Sequence, residues 1–387
     1  MVALLGSQAA AQPFIYVTNK HSNTVSVIDQ TTMSVVTSVA IGDSPSGITV
    51  TPDGRFTYAV NGGSQSNSVS VIDNGTNTVA TTIPVGTNPL GIAIASDGRF
   101  VYVANASGNS VSVIDTATNK VSTTITVGLN PAGLAVTPDG TAVYVANSQT
   151  LSTPATGNVS VIDSDTTAVV ATIKVGTNPV AVAAAPNGRA MYVTNSNSES
   201  ITGPSTVSVI DTATQKVTAT VLIGNNSLGV AISPFGRFVY ATNFNSDTVS
   251  VIDTQTNTVA TTVPVGDGPL GVAVSADGRF AYVANRQSLG SPAIGNVSVI
   301  ETATDTVIAT ITVGENPTYV AVTPGAPACI GDCNASDTVT SDELLVAVAV
   351  ALGARTFDAC PALAASSDRV SVDQVLAAVN NALAECP

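Results

Sequence analysis

With 387 residues, the chain has room for two or three ordinary domains, or for one large repeat architecture with an appendage. Its net charge of −14, with only 12 Lys and Arg, excludes the basic footprint that nucleic acid or an anionic membrane surface requires. Few charges, no Trp and abundant Val, Thr, Ser, Ala, Asn and Gly point to strands and turns rather than helices.

The chain opens on "MVALLGSQAAAQP", a short apolar run followed by Ala9-Ala10-Ala11, an A-x-A type cleavage pattern without a basic flank. Residues 1–13 therefore read as the tail of a truncated export signal. No apolar run approaches the roughly 20 residues of a membrane helix. The expected location is extracellular or at the cell surface, the periplasm being the other compartment that fits.

From Phe14 the sequence repeats. A unit such as "NPLGIAIASDGRFVYVANASGNSVSVIDTATNKVSTTITVG" recurs at spacings of 42 to 48 residues, the range of solenoids and propellers. Tyr16, Tyr58, Tyr102, Tyr144, Tyr192, Tyr240 and Tyr282 mark the register, each followed three residues later by Asn, which makes seven units. Within one unit, Gly91–Ala95, Phe100–Ala104, Val111–Ile114 and Thr123–Val127 alternate with period two and are separated by Gly, Asn and Asp turns. Four antiparallel strands per unit form a propeller blade.

The first repeat element, "FIYVTN" (14–19), is a second strand, and the last, "NPTYVAVTP" (316–324), is a first strand with nothing after it. Seven complete blades require the two chain ends to pair. The expectation is an all-β, seven-bladed β-propeller over residues 14–324.

"YVTN" (16–19, 192–195), "YVAN" (102–105, 144–147, 282–285), "VSVID" and "VGxNPxGxAVxPDGR" resemble the YVTN-type β-propeller repeats of surface-layer and secreted proteins. The resemblance covers about 310 residues. It implies the fold strongly and a function weakly, because one propeller architecture hosts many chemistries.

Residues present in every blade, such as Asn19 and its equivalents or the aspartates Asp29 through Asp253, are best explained by a task common to all blades. Departures from the repeat say more. Three connections, Ser148–Asn158, Ser196–Thr206 and Arg286–Asn296, are longer than their equivalents and carry Leu151, Ile201, Leu289 and Ile294, a candidate face for a protein or glycan partner.

An enzyme is not expected. The single histidine, His21, cannot build a multi-histidine metal site, and the expected first strands carry no carboxylate. Asp43, Asp267 and Glu315 lie isolated in the loops that feed those strands. The absence of Cys-x-x-Cys-His removes covalently attached heme and, on this reading, the heme-bearing propellers with it.

After a linker at 325–328, residues 329–387 hold all four cysteines, Cys329, Cys333, Cys360 and Cys386, consistent with two disulfides whose pairing the spacing leaves open. Leu344, Leu345, Val348 and Leu352 form one helical stripe, and Val375, Leu376, Val379 and Leu383 another, giving a small helix pair. Each is preceded by a related loop, "DCNASDTVTSDE" and "LAASSDRVSVDQ", in a layout that resembles dockerin-like and EF-hand-like modules.

That resemblance implies calcium at Asp332, Asn334, Ser336, the Thr338 carbonyl and Glu343. Asp337 stands where the sharp turn needs glycine, and Thr340-x-x-Glu343 also reads as a capping box. Together these features lead to the expectation of a non-catalytic extracellular binding or surface-structural ring without a cofactor, unless calcium occupies that one loop. A self-assembling surface fibre or layer subunit is the first alternative, and a lactonase-like hydrolase the second.

Overall fold

Alternation of apolar and polar residues sets the blades, and the blades set the ring. A computed structural model describes residues 13–63, 66–148, 157–196, 204–286 and 294–324. Residues 1–12 of the expected export-signal tail (1–13), Leu151, Ile201, Leu289, the four cysteines and the five calcium-ligand candidates lie outside the described residues.

Twenty-eight strands form seven four-stranded antiparallel sheets. Blade 1 consists of Pro317–Val322, Phe14–Asn19, Thr24–Asp29 and Ser34–Ala40, so the last strand of the chain pairs with the first. Blades 2 to 7 follow in sequence, their inner strands beginning at Pro45, Pro89, Pro131, Pro179, Ser227 and Pro269. In blade 3 the strands are Pro89–Ile94, Phe100–Asn105, Ser110–Asp115 and Lys120–Thr126. The outer strand starts three residues earlier than its alternation predicts, because a bulge shifts the register between Val113 and Ile114 and interrupts the period. The same bulge recurs in all seven blades.

Burial follows strand position. Second strands such as Phe100–Asn105 are buried on both faces after their first residue, while outer strands such as Lys120–Thr126 alternate between exposed and covered. The apolar core is divided into seven clusters at the seams between blades. One cluster joins Ile15, Val17 and Ile28 of blade 1 to Tyr282, Val297, Val299 and Ile311 of blade 7. Each fully buried Val or Ile contributes on the order of 1.5–3 kcal/mol, and a single blade could bury neither of its faces alone.

At the closing seam, the Thr18 and Thr318 hydroxyls lie 2.8 Å apart, and the Phe14 amide donates to Thr323 Oγ1 at 2.8 Å. Chain closure thus uses side-chain hydrogen bonds in addition to the strand ladder.

The repeated aspartates hold the turns between third and outer strands. Asp29 Oδ1 accepts the Thr31 hydroxyl and the Thr31 and Thr32 amides, and Asp163 and Asp211 accept both groups of Thr166 and Thr214. The threonine hydroxyl, then the backbone amide, holds these carboxyls below their ordinary range.

Aspartates lowered in the folded state stabilise it fully above their unfolded value, about 3.9, and the contribution is lost as pH falls through the folded values. The melting temperature is therefore expected to stay level from neutral pH to about 5 and to drop below about 4. In an Asp163→Asn, Asp211→Asn double variant that drop should be shallower; an unchanged acid limb would refute the assignment.

The seam tyrosines make a second, internally controlled test. Tyr58 donates to Asn119 Oδ1 of the next blade at 2.9 Å, whereas the buried Tyr282 hydroxyl has no partner among the described residues and shares its cluster with Met33. Tyr58→Phe should cost about 1 kcal/mol by stranding the Asn119 carbonyl, and Tyr282→Phe should be neutral or stabilising. Denaturant midpoints compare the two, and equal losses would contradict the pairing.

Candidate functional site

Asn19 pairs with Thr24, and Thr24 with Ala40, so the turn at 20–23 lies beside the connection at 41–44. Repeated in every blade, this puts the turns between second and third strands and the connections to the next inner strand on one rim. The three long loops spring from the same rim.

The rim is built on a clasp. Asn19 is fully buried and its Nδ2 donates to Thr24 Oγ1 at 3.1 Å and Ser26 Oγ at 2.9 Å; Asn243 does the same with Thr248 and Ser250. The glycine of each V-G or I-G connection lies against the equivalent asparagine. A Cβ on Gly314 would stand 2.7 Å from Asn19 Cγ, and one on Gly86 would stand 2.5 Å from Asn105 Cγ, closer than carbon atoms can approach. The Y-x-x-N asparagine and this glycine are therefore two halves of one contact.

Two residues on, the chain turns through the left-handed region at Ser44, Asn88, Asn130, Asn178, Asn226, Gly268 and Asn316. In blade 2 the amide of Ser44 is capped by Asn23 Oδ1 at 2.9 Å, and in blade 3 that of Asn88 by Asn67 Oδ1 at 2.8 Å. The side chain at this position reaches the neighbouring turn as well: Asn130 Nδ2 donates to Ser148 Oγ at 2.6 Å, and at the closing seam the group it meets is an imidazole. Asn316, 3% exposed, directs Nδ2 to within 3.2 Å of both ring nitrogens of His21, while its Oδ1 has no partner among the described residues.

His21 itself is exposed on the rim, next to exposed Lys20. Backbone bonds from the Lys20 amide to the Asn316 carbonyl (2.9 Å) and from the His21 amide to the Glu315 carbonyl (3.2 Å) fix this turn against the incoming connection.

Asp43, Asp267 and Glu315 occupy equivalent places in the connections leading into blades 2, 7 and 1, three neighbours around the ring. Among the described residues no three His, Cys, Asp or Glu side chains come together as a metal site. Of the proposed partner-face residues, Ile294 is described and is 45% exposed at the start of its strand.

The inner strands enclose an axial cavity of about 140 Å³, lined by Gly47, Ile48, Ile92, Leu134, Val182 and Tyr319 among others. That volume approximates a benzene-sized site of about 150 Å³. It is far too small for a tetrapyrrole and holds no nitrogen or sulfur donor. A heme does not fit within the channel.

The rim is different. Porphyrin supplies four ligands to its iron, so a single protein imidazole suffices for an axial bond, and His21 is an exposed imidazole standing on the open face. Among the described residues, His21 is the one imidazole that could ligate a heme iron, and it stands at the rim, while the cavity lining offers no such ligand.

The molecule is thus a seven-bladed, all-β propeller with its one imidazole, His21, exposed on the loop face. The model of the cytochrome D1 heme domain matches residues 9–129 and 145–269, more than half of the chain, and the protein belongs to that family.

Solved structures share the fold. A chain of Kuenenia stuttgartiensis hydrazine synthase is 26% identical with a TM-score of 0.67, and the match covers 79% of this chain and 100% of that one. Dihydro-heme d1 dehydrogenase NirN matches at 16% identity and a TM-score of 0.57, covering 83% of this chain and 77% of that one. A protein of unknown function from Desulfotomaculum acetoxidans DSM 771 matches at 16% identity and 0.65, over 80% and 98%. No curated protein is detectably similar in sequence.

Family membership corrects three expectations: a non-catalytic surface ring, the absence of enzymatic or redox chemistry, and the absence of a cofactor. The physical error is specific. Lack of Cys-x-x-Cys-His excludes thioether attachment, but a non-covalent heme needs only one side-chain ligand. In the sequence, His21 counted only as one histidine too few for a multi-histidine site; its contact with Asn316, 295 positions away, is visible only in the closed ring.

The clasp under this turn can be tested directly. Gly314→Ala should cost about 1–3 kcal/mol through the forced Cβ contact with Asn19. Gly75→Ala, whose Cβ would meet only Asp73 Oδ1 at 3.3 Å, should be nearly silent. Equal melting temperatures for the two variants would rule the clasp out.

Proposed function

We propose that this ring is a heme-binding component of an exported redox system, with the heme held across the loop rim and His21 as the protein ligand to its iron. The observation that carries the reading is the placement of His21: an exposed imidazole on the open face of a ring that belongs to the cytochrome D1 heme domain family. The hydrazine synthase chain supports a redox setting, since it is matched over its whole length and 79% of this chain corresponds to it.

The residues of this chain would act as a mount. With its amide turned about, buried Asn316 would present Oδ1, which has no other partner among the described residues, to accept one ring N–H of His21 and leave the lone pair of the other nitrogen for metal, as outer-shell partners of ligating histidines do. Lys20 supplies a positive charge beside it for a heme carboxylate. A bound heme would supply one-electron chemistry or a place for a small molecule at iron.

The periplasm is the compartment we propose, in keeping with the Ala-rich export-signal tail at the N-terminus. On this reading the YVTN-type spelling of the repeats describes how the blades are built and not what the ring does. A protein partner would meet the same rim, where Ile294 is exposed.

Titration of the purified full chain with hemin, followed by absorbance, provides the test. One equivalent should shift the Soret band, and His21→Ala should weaken binding at least about tenfold, the loss of roughly 1.4 kcal/mol or more. A Lys120→Ala control on the opposite edge should bind as the parent does. An absent spectral shift, or equal affinity in His21→Ala, would reject the proposal.

A further inference from the structure

Six of the seven inner strands carry a small residue at one level of the channel: Gly47, Gly91, Gly133, Ala181, Gly229 and Gly271. Close approach of neighbouring strands explains the glycines. A Cβ on Gly47 would stand 2.5 Å from the Leu90 carbonyl oxygen, one on Gly133 the same distance from that of Val180, and one on Gly271 2.7 Å from that of Thr318. The level is thereby cleared of side chains all around the ring except in the closing blade, where the equivalent residue is Tyr319.

Tyr319 lines the cavity, and its backbone is tied to Thr18 through the Thr18 hydroxyl, which accepts from the Tyr319 amide at 3.1 Å. Every other lining side chain is Gly, Ala, Val, Ile or Leu. The phenol hydroxyl is thus the one side-chain hydrogen-bonding group in the cavity, and it makes no hydrogen bond to a described residue. Burial pushes this phenol above its ordinary range, which keeps it protonated and a donor.

No charged side chain faces the cavity, whose lining is shared between aliphatic side chains and backbone left uncovered at the glycines, so an uncharged molecule suits it better than an ion. At about 140 Å³ the space suits a molecule of benzene size. Filling it with such a molecule adds contact with the aliphatic side chains, and an acceptor on that molecule would meet the one side-chain donor.

We propose that the axial cavity is a second binding site, independent of the rim, for an uncharged organic molecule of about six heavy atoms bearing one hydrogen-bond acceptor, with the Tyr319 hydroxyl as the donor. Cyclohexanone serves as the acceptor-bearing probe and benzene as the probe without a strong acceptor. Both are followed by saturation-transfer NMR on the full chain.

The parent should bind both and prefer the ketone. Tyr319→Phe keeps the ring and removes the donor, so it should weaken cyclohexanone about tenfold, the worth of one hydrogen bond, and leave benzene unchanged. His21→Ala should bind both probes like the parent, which separates this site from the rim. The proposal is overturned if neither probe binds, if Tyr319→Phe leaves cyclohexanone unaffected, or if it weakens both probes equally.

Discussion

The pairing of Pro317–Val322 with Phe14–Asn19 is the interaction on which the rest of the molecule depends. The core exists only as seams between blades, so an unclosed ring would present two apolar faces to water. The same pairing brings Asn316 to His21 and places Tyr319 in the channel. Both unusual features of the ring are therefore properties of its junction. Blades 2 to 7 are each made from one continuous stretch of chain.

This arrangement separates two tasks that a propeller could combine. The channel is narrow because glycines let the inner strands approach to the limit set by backbone carbonyls. What remains is a space of benzene size, lined by aliphatic side chains and by backbone left uncovered at the glycines, and unsuited to a macrocycle. The rim, by contrast, is polar and open, with an exposed imidazole held by a buried amide. On the proposed reading, membership of a heme-domain family accords with a narrow channel because the cofactor would lie across the face.

Blade number, strand order and the pairing of the chain ends were legible in the sequence, since period-two alternation and the Y-x-x-N marker survive in all seven units. The strand limits were less so, because a bulge near Ile114 breaks the alternation that reveals a strand. Asn19 was recognised as structural, yet its contact with Gly314 joins residues nearly three hundred positions apart, which no local pattern reports. His21 was undervalued for the same reason. Tyr319 drew no attention as one more apolar residue in "YVAV"; only the ring reveals that its six equivalents are small.

The bulge also bears on how the molecule coexists with its own copies. Each of the seven sheets ends in an outer strand with an unpaired edge, and several of these edges carry exposed Val36, Val170, Leu222 or Ile308. Straight, apolar, weakly charged edges are templates for intermolecular ladders. A register shift next to every edge strand increases its local twist, so two such edges cannot lie flush over more than a few residues. In a chain of net charge −14, this backbone geometry works in the same direction as like-charge repulsion, against edge-to-edge stacking.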